Sequence, residues 1–163
     1  MLPAKHSNMR KTAMLLLVIS GFAFSCSKKN DDKPGADNCL LNSYYLKADV
    51  AGVSWCANTS LFADYAIVMT INGISSNGAT LTLELDDVAP GTYQIKQDRN
   101  HVLYTSSLGV GYESTNDNPG SLVIISNDTT ANIINGSFNV TLRSPVSGNL
   151  SLSNGTFKLF YTE

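Results

Sequence analysis

Apolar residues recur at every second position of this chain, in one segment after another. Leu81, Leu83 and Leu85 alternate with Thr82, Glu84 and Asp86, and Phe138, Val140 and Leu142 alternate with Asn139, Thr141 and Arg143. Successive side chains of a strand point to opposite faces, so each run presents one apolar and one polar face. Ile67, Met69 and Ile71 form a similar stripe, as do Phe157, Leu159 and Tyr161, and Leu122 to Ile125 is a continuous apolar run suited to a central strand. No eleven-residue window carries a sustained helical stripe. Such a chain buries its apolar surface by stacking sheets or by curling one sheet on itself.

Turn chemistry separates the runs. Asn72-Gly73, Asn77-Gly78, Pro90-Gly91, Pro119-Gly120, Asn135-Gly136 and Asn154-Gly155 are dipeptides that accept positive backbone angles or preset a turn. Their spacing predicts strands near residues 44–50, 53–57, 64–72, 79–86, 92–96, 101–107, 121–126, 131–142 and 149–161, the last two open to bending. About nine short strands imply an all-β fold, an antiparallel β-sandwich or a partly open barrel. Composition agrees: Ser, Thr and Asn make up 48 of 163 residues while 15% are charged, a balance that suits neither a helical bundle nor a charge-driven disordered chain. An internal echo links Asn135-Gly136-Ser137-Phe138-Asn139-Val140 to Asn154-Gly155-Thr156-Phe157-Lys158-Leu159. Two adjacent antiparallel strands entered by similar turns would carry it, and a third copy, which a solenoid needs, is missing.

The N-terminal stretch reads as an address. Lys5, Arg10 and Lys11 precede an apolar run from Ala13 to Phe24, and Ser25 stands before Cys26. This is a secretory signal layout, and a run of about 12 residues falls short of the roughly 20 that a membrane-spanning helix needs. Met9, directly before Arg10, is a second candidate start beside Met1. Ala23-Phe24-Ser25-Cys26 resembles the bacterial lipobox, with Ala23 where Leu is usual, which implies acylation of Cys26 and cleavage before it. The polar Ser27-Lys28-Lys29-Asn30-Asp31-Asp32 resembles the acidic export tag of Bacteroides-group surface lipoproteins. Residues 27–38 hold no aliphatic side chain larger than Ala36 and read as a flexible spacer. The expected division is a signal peptide over 1–25, a lipidated Cys and tether over 26–38, and a β-sandwich domain over 39–163. The mature chain has eight basic and thirteen acidic side chains, net −5, which repels polyanions. With no Lys/Arg block interleaved with aromatics, a nucleic-acid partner is not expected. The expected membrane partner is reached through the lipid, at the outer membrane and facing outward.

LKADVAGVSWCA over 46–57, TLTLELDDVAPGTYQI over 80–95, INGSFNVTL over 134–142 and the terminal SNGTFKLFYTE resemble a family of small Bacteroides-group lipoproteins of unknown function. The likeness spans most of 44–163 and rests on strand and turn patterns. It implies a β-rich surface lipoprotein and transfers no catalytic residue.

With Cys26 lipidated, Cys39 and Cys56 form an even pair in an oxidising compartment, and a disulfide between them contributes roughly 3 kcal/mol in the loop-entropy model. The alternative is a buried apolar Cys56 beside Trp55 and a free Cys39. Two Cys without further ligands make no zinc site, since His101 is the single mature His. No metal or cofactor is expected.

The same scarcity argues against an enzyme. Asp98-Arg99-Asn100-His101 gathers an acid, a base and an imidazole, but no nucleophile elbow, zinc-protease or phosphate-loop motif accompanies it, and a solvated turn is the simpler reading. Asp86 and Asp87 with Asp64 are candidates for a glycosidase carboxylate pair or are ordinary strand-end acids. Glu113, Asn116, Asp117 and Asn118 form either a calcium loop or an Asx-rich turn, and their spacing does not match an EF-hand. Trp55 and Tyr65, with Tyr93, Tyr104 and Tyr112, are candidates for a sugar-stacking face or for strand packing. Asp128-Thr129-Thr130 resembles the O-glycosylation motif of exported Bacteroides-group proteins, with Thr129 as acceptor. Six Asn-x-Ser/Thr triplets follow from Ser/Thr/Asn-rich strands. The expected role is non-catalytic binding or structural, with a surface protein or glycan as partner; the alternatives are a glycan-binding module using exposed aromatics and a His- or carboxylate-dependent hydrolase.

Overall fold

The computed structural model describes residues 43–163, all in strands, turns and connections with no helix. Cys26, Cys39, the signal segment and the tether lie outside the described residues. In chain order the strands are β1 (Tyr45–Val50), β2 (Val53–Cys56), β3 (Ser60–Tyr65), β4 (Met69–Ile74), β5 (Thr80–Leu85), β6 (Gly91–Ile95), β7 (His101–Thr105), β8 (Gly111–Glu113), β9 (Gly120–Asp128), β10 (Ile133–Ser144) and β11 (Gly148–Phe160). Eleven strands replace the nine expected. The stretch 64–72 divides because Tyr65 pairs with Met69 across a hairpin, and Ile67, counted above with Met69 and Ile71, sits on its tip 94% exposed. β8 was not expected, since three residues carry too short an alternation to register.

The order β2-β1-β11-β10-β8-β7-β5-β4-β3 is antiparallel throughout, and β6 pairs with β9, which pairs with β10. β10 is the fork. Ile133 to Asn139 pair with β9, and Arg143 pairs with β8 on the same edge. The sheet curls until β3 meets the chain just beyond β11: Tyr65 N–H donates to the Thr162 carbonyl at 2.8 Å, and Thr162 N–H donates to the Ala63 carbonyl at 3.1 Å. This curled, partly closed barrel is the second of the two expected architectures. Its inner faces carry the alternating residues, among them Leu46, Ile71, Leu81, Leu83, Leu85, Phe138 and Phe157, all at most 1% exposed.

Three of the six turn dipeptides are not turns. Asn72-Gly73 lies inside β4, where a Cβ on Gly73 would stand 2.5 Å from the Ala57 Cβ. Asn135-Gly136 and Asn154-Gly155 lie inside β10 and β11, and the register explains the echo: Gly136 faces Phe157, and Phe138 faces Gly155. Each copy's glycine makes room for the other copy's ring, so the repeated motif packs against itself. A Cβ on Gly155 would stand 2.5 Å from the Phe138 ring, and one on Gly136 would meet both the Phe157 ring at 2.5 Å and the Val123 carbonyl oxygen at 2.6 Å. Asn154 does adopt a positive φ of 52°, at a β-bulge. That extra residue moves the buried set of β11 from Leu152 to Gly155, Phe157 and Leu159, as a one-residue slip must. A second bulge, opposite Asn135 and Gly136, turns Ile125 outward at 58% exposure despite its place in an apolar run.

Candidate functional site

On the outer face of β5, β7, β8 and β10 the alternation places polar side chains in register. Glu84 lies opposite His101, Leu103 opposite Glu113, and Glu113 opposite Arg143. The two acids close on the imidazole: His101 Nδ1 is 3.5 Å from Glu84 Oε2 and Nε2 is 3.7 Å from Glu113 Oε2. These are ion-pair separations, too long for good hydrogen bonds. The His101 Nε2 atom is buried and has no hydrogen-bond partner. A carboxylate therefore stands beside each ring nitrogen, and the buried Nε2 does not open directly to a substrate.

Beside this group lies a cleft of about 190 Å³ lined by Leu103, Gly111, Tyr112, Glu113, Arg143 and Pro145, among others. It forms because β8 has one register pair with β10, at Glu113 and Arg143, so the two strands separate beyond it. Tyr104 backs the cleft, its ring 6.3 Å from that of Tyr112. Burial, with Tyr112 alongside, pushes the Tyr104 hydroxyl above its ordinary pKa. The cleft includes Glu113 but not His101.

Asp98-Arg99-Asn100-His101 does not converge on one point. His101 opens β7, and Arg99 turns to Asp87, its Nε at 2.8 Å from Oδ2 and its Nη2 at 2.6 Å from Oδ1. That pairing holds the Asp87 carboxyl below the usual carboxylate range, against a smaller opposing effect of burial and with help from Asn100. Asn100, fully buried with a φ of 50°, ties the loops together: its Oδ1 accepts from the Asp86 and Asp87 N–H groups, and its Nδ2 donates to Asp87 Oδ2 and the Gln94 carbonyl. Sequence reasoning passed over Asn100 because it looks for titratable groups. Arg143 was also missed; as the outward member of an alternating strand it resembled any solvated charge.

The remaining candidates have structural partners. Trp55 is 6% exposed and belongs to the core, and Tyr65 stacks edge-on against Tyr161 at 6.1 Å, so these two do not form an exposed sugar-stacking face. Tyr93 donates its hydroxyl to the Ala89 carbonyl. Asp64 accepts from the Thr162 hydroxyl at 3.0 Å, and Asp86 accepts from the Asn100 N–H at 2.8 Å, so these acids are held apart by separate partners. Glu113 faces His101 while Asn116 accepts from the Gln97 N–H at 3.2 Å, which divides the would-be calcium loop. Among the described residues no three His, Cys, Asp or Glu side chains gather as a metal would require. Cys56 is 3% exposed and is not a free thiol; its expected partner Cys39 lies outside the described residues. Thr129 is exposed at the hairpin between β9 and β10, where Asp128 Oδ1 accepts from the N–H groups of Thr130 and Ala131.

A model of the family DUF6252, described as a domain of unknown function, matches residues 42–159. No curated protein and no solved structure matches the chain.

Proposed function

This chain belongs to the DUF6252 family, and from its own side chains we propose that it is a lipid-tethered surface protein whose barrel is a non-catalytic binding module. The observation that carries the binding reading is the cleft at β7, β8 and β10, where an apolar wall and an exposed guanidinium meet. Small-ligand sites take this form, a mostly apolar concavity with a few polar groups that fix orientation. The tether reading rests on the Ala23-Phe24-Ser25-Cys26 lipobox resemblance, the spacer and the Bacteroides-type tag, with Cys39 and Cys56 bridged near the start of the barrel and Thr129 as a glycan acceptor on an exposed hairpin. Two or more acyl chains on Cys26 supply the stable anchoring that one chain does not.

A hydrolase is the second reading, favoured by the carboxylates on either side of His101. General acid or base work needs a ring nitrogen within reach of a substrate proton, and the buried Nε2 argues against it. Two experiments test the proposal. Cys26→Ala is expected to move the protein from the membrane to the soluble fraction and abolish fatty-acid labelling; unchanged membrane association defeats the anchor. A screen of glycoside, ester and peptide substrates is expected to show no turnover, and turnover lost in His101→Ala establishes the hydrolase instead.

A further inference from the structure

We propose that the cleft between β8 and the turn joining β10 to β11 binds a carboxylate-bearing sugar, with Arg143 receiving the carboxylate; this rests on the binding-module reading above. Arg143 stands directly opposite Glu113, where a cross-strand ion pair ordinarily forms. Glu113 instead directs Oε2 to within 3.7 Å of His101 Nε2, and Arg143 has no ion pair or side-chain hydrogen bond among the described residues. Arg99 supplies the internal contrast, since it closes both nitrogens on the Asp87 carboxylate. The Arg143 fork is left facing solvent at the edge of a concavity, and a planar guanidinium matches a carboxylate in two parallel hydrogen bonds.

The rest of the lining defines what carries that carboxylate. Leu103 and Pro145 offer a CH-rich wall for the face of a saturated ring. β8 pairs with β7 at Gly111 and Tyr112 but has no register partner there on the side of β10, and Pro145 has no N–H to give. A Cβ on Gly111 would meet nothing within 4 Å, so the space beside this unpaired edge has room for a ligand's hydroxyls. A ligand with a carboxylate, several hydroxyls and one apolar ring face is a sugar acid. The volume of about 190 Å³ lies below the roughly 300 Å³ at which drug-sized pockets begin and holds one ring of an acidic glycan.

The test titrates the full-length protein in detergent micelles with a galacturonic-acid trimer and, separately, with the neutral galactose trimer. The acidic trimer is expected to bind, at least tenfold more weakly to Arg143→Gln at unchanged melting temperature, with Arg143→Lys recovering only part of the loss because an ammonium does not hold both oxygens in a fork. Equal binding of the neutral trimer overturns the acid specificity and leaves the binding module standing. Hydrolysis of either trimer overturns the binding module itself. Binding of neither trimer, or undiminished binding to Arg143→Gln, overturns the proposal.

Discussion

From Ile133 to Phe138, β10 is paired on both edges, with β9 on one and β11 on the other; at Arg143 the first of those edges keeps a single register pair with β8 and then opens into a cleft. The closed stretch is where glycine and phenylalanine interlock, Gly136 under Phe157 and Gly155 under Phe138. The open stretch is where Arg143 and Glu113 reach solvent. One strand thus carries close glycine–ring packing and an exposed guanidinium within ten residues. Packing density sets the free energy of local opening, so the closed stretch is expected to hold the fold while the open one is free to bind.

The sharpest way to probe this contrast is Gly136→Ala. The new Cβ meets a main-chain carbonyl as well as a ring, and a carbonyl cannot rotate away, so the loss of stability is expected to be about 3 kcal/mol by urea unfolding. A loss under half that size would show the seam to be looser than its geometry. The three atoms nearest a Cβ on Gly155 all belong to the Phe138 ring, and Gly155→Ala should cost about 2 kcal/mol. Because the clash is with a replaceable side chain, adding Phe138→Leu should cost less than the two single changes together predict, by about 1 kcal/mol. Strict additivity in that cycle would break the interlock account.

Gly78 supplies the control, an Asn-Gly pair that does form a turn, between β4 and β5. Its φ is 84° and a Cβ there would meet nothing within 4 Å. Gly78→Ala should therefore cost about 1 kcal/mol, from backbone strain alone, and should be insensitive to changes at Phe138. The smallest effect expected is the response of the Asp87 loop to acid. Arg99 holds the folded-state pKa of Asp87 below its unfolded value, so the contribution is complete above the ordinary carboxylate range and lost as pH falls through the depressed folded value. Amide exchange at Asp86 and Asp87 should accelerate there before the β10 and β11 amides respond, and Asp87→Asn should remove that pH dependence. The pair lies near solvent, so the change in global stability should be slight.

Much of the barrel was legible as written. Alternation placed Leu81, Leu83 and Leu85 inward and Glu84 outward, because a strand's period is a local property of the backbone. What misled was the dipeptide rule. Asn-Gly at 77–78 and Asn-Gly at 135–136 are the same dipeptide, and what distinguishes them comes from other strands: the Phe157 ring and the Val123 carbonyl against Gly136, and nothing within 4 Å of a Cβ on Gly78. A signal was present: the buried parity of β11 changes between Leu152 and Phe157, which an uninterrupted strand forbids and a bulge requires. Of the site, Tyr112 was among the aromatic candidates and Arg143 was not, since an exposed Arg on an alternating strand is ordinary until its expected partner turns elsewhere.

By itself the sequence determined the strand class and the inward face of most strands, since both follow from side-chain order along one backbone. Only the tertiary structure decided which glycines are turns and which are seats for a ring, that Trp55 is core, that Asn100 ties two loops, and that Glu113 abandons Arg143 for His101. Each of these depends on which strands become neighbours. Neighbour choice comes from the summed packing of the whole core, and no short stretch of sequence encodes it.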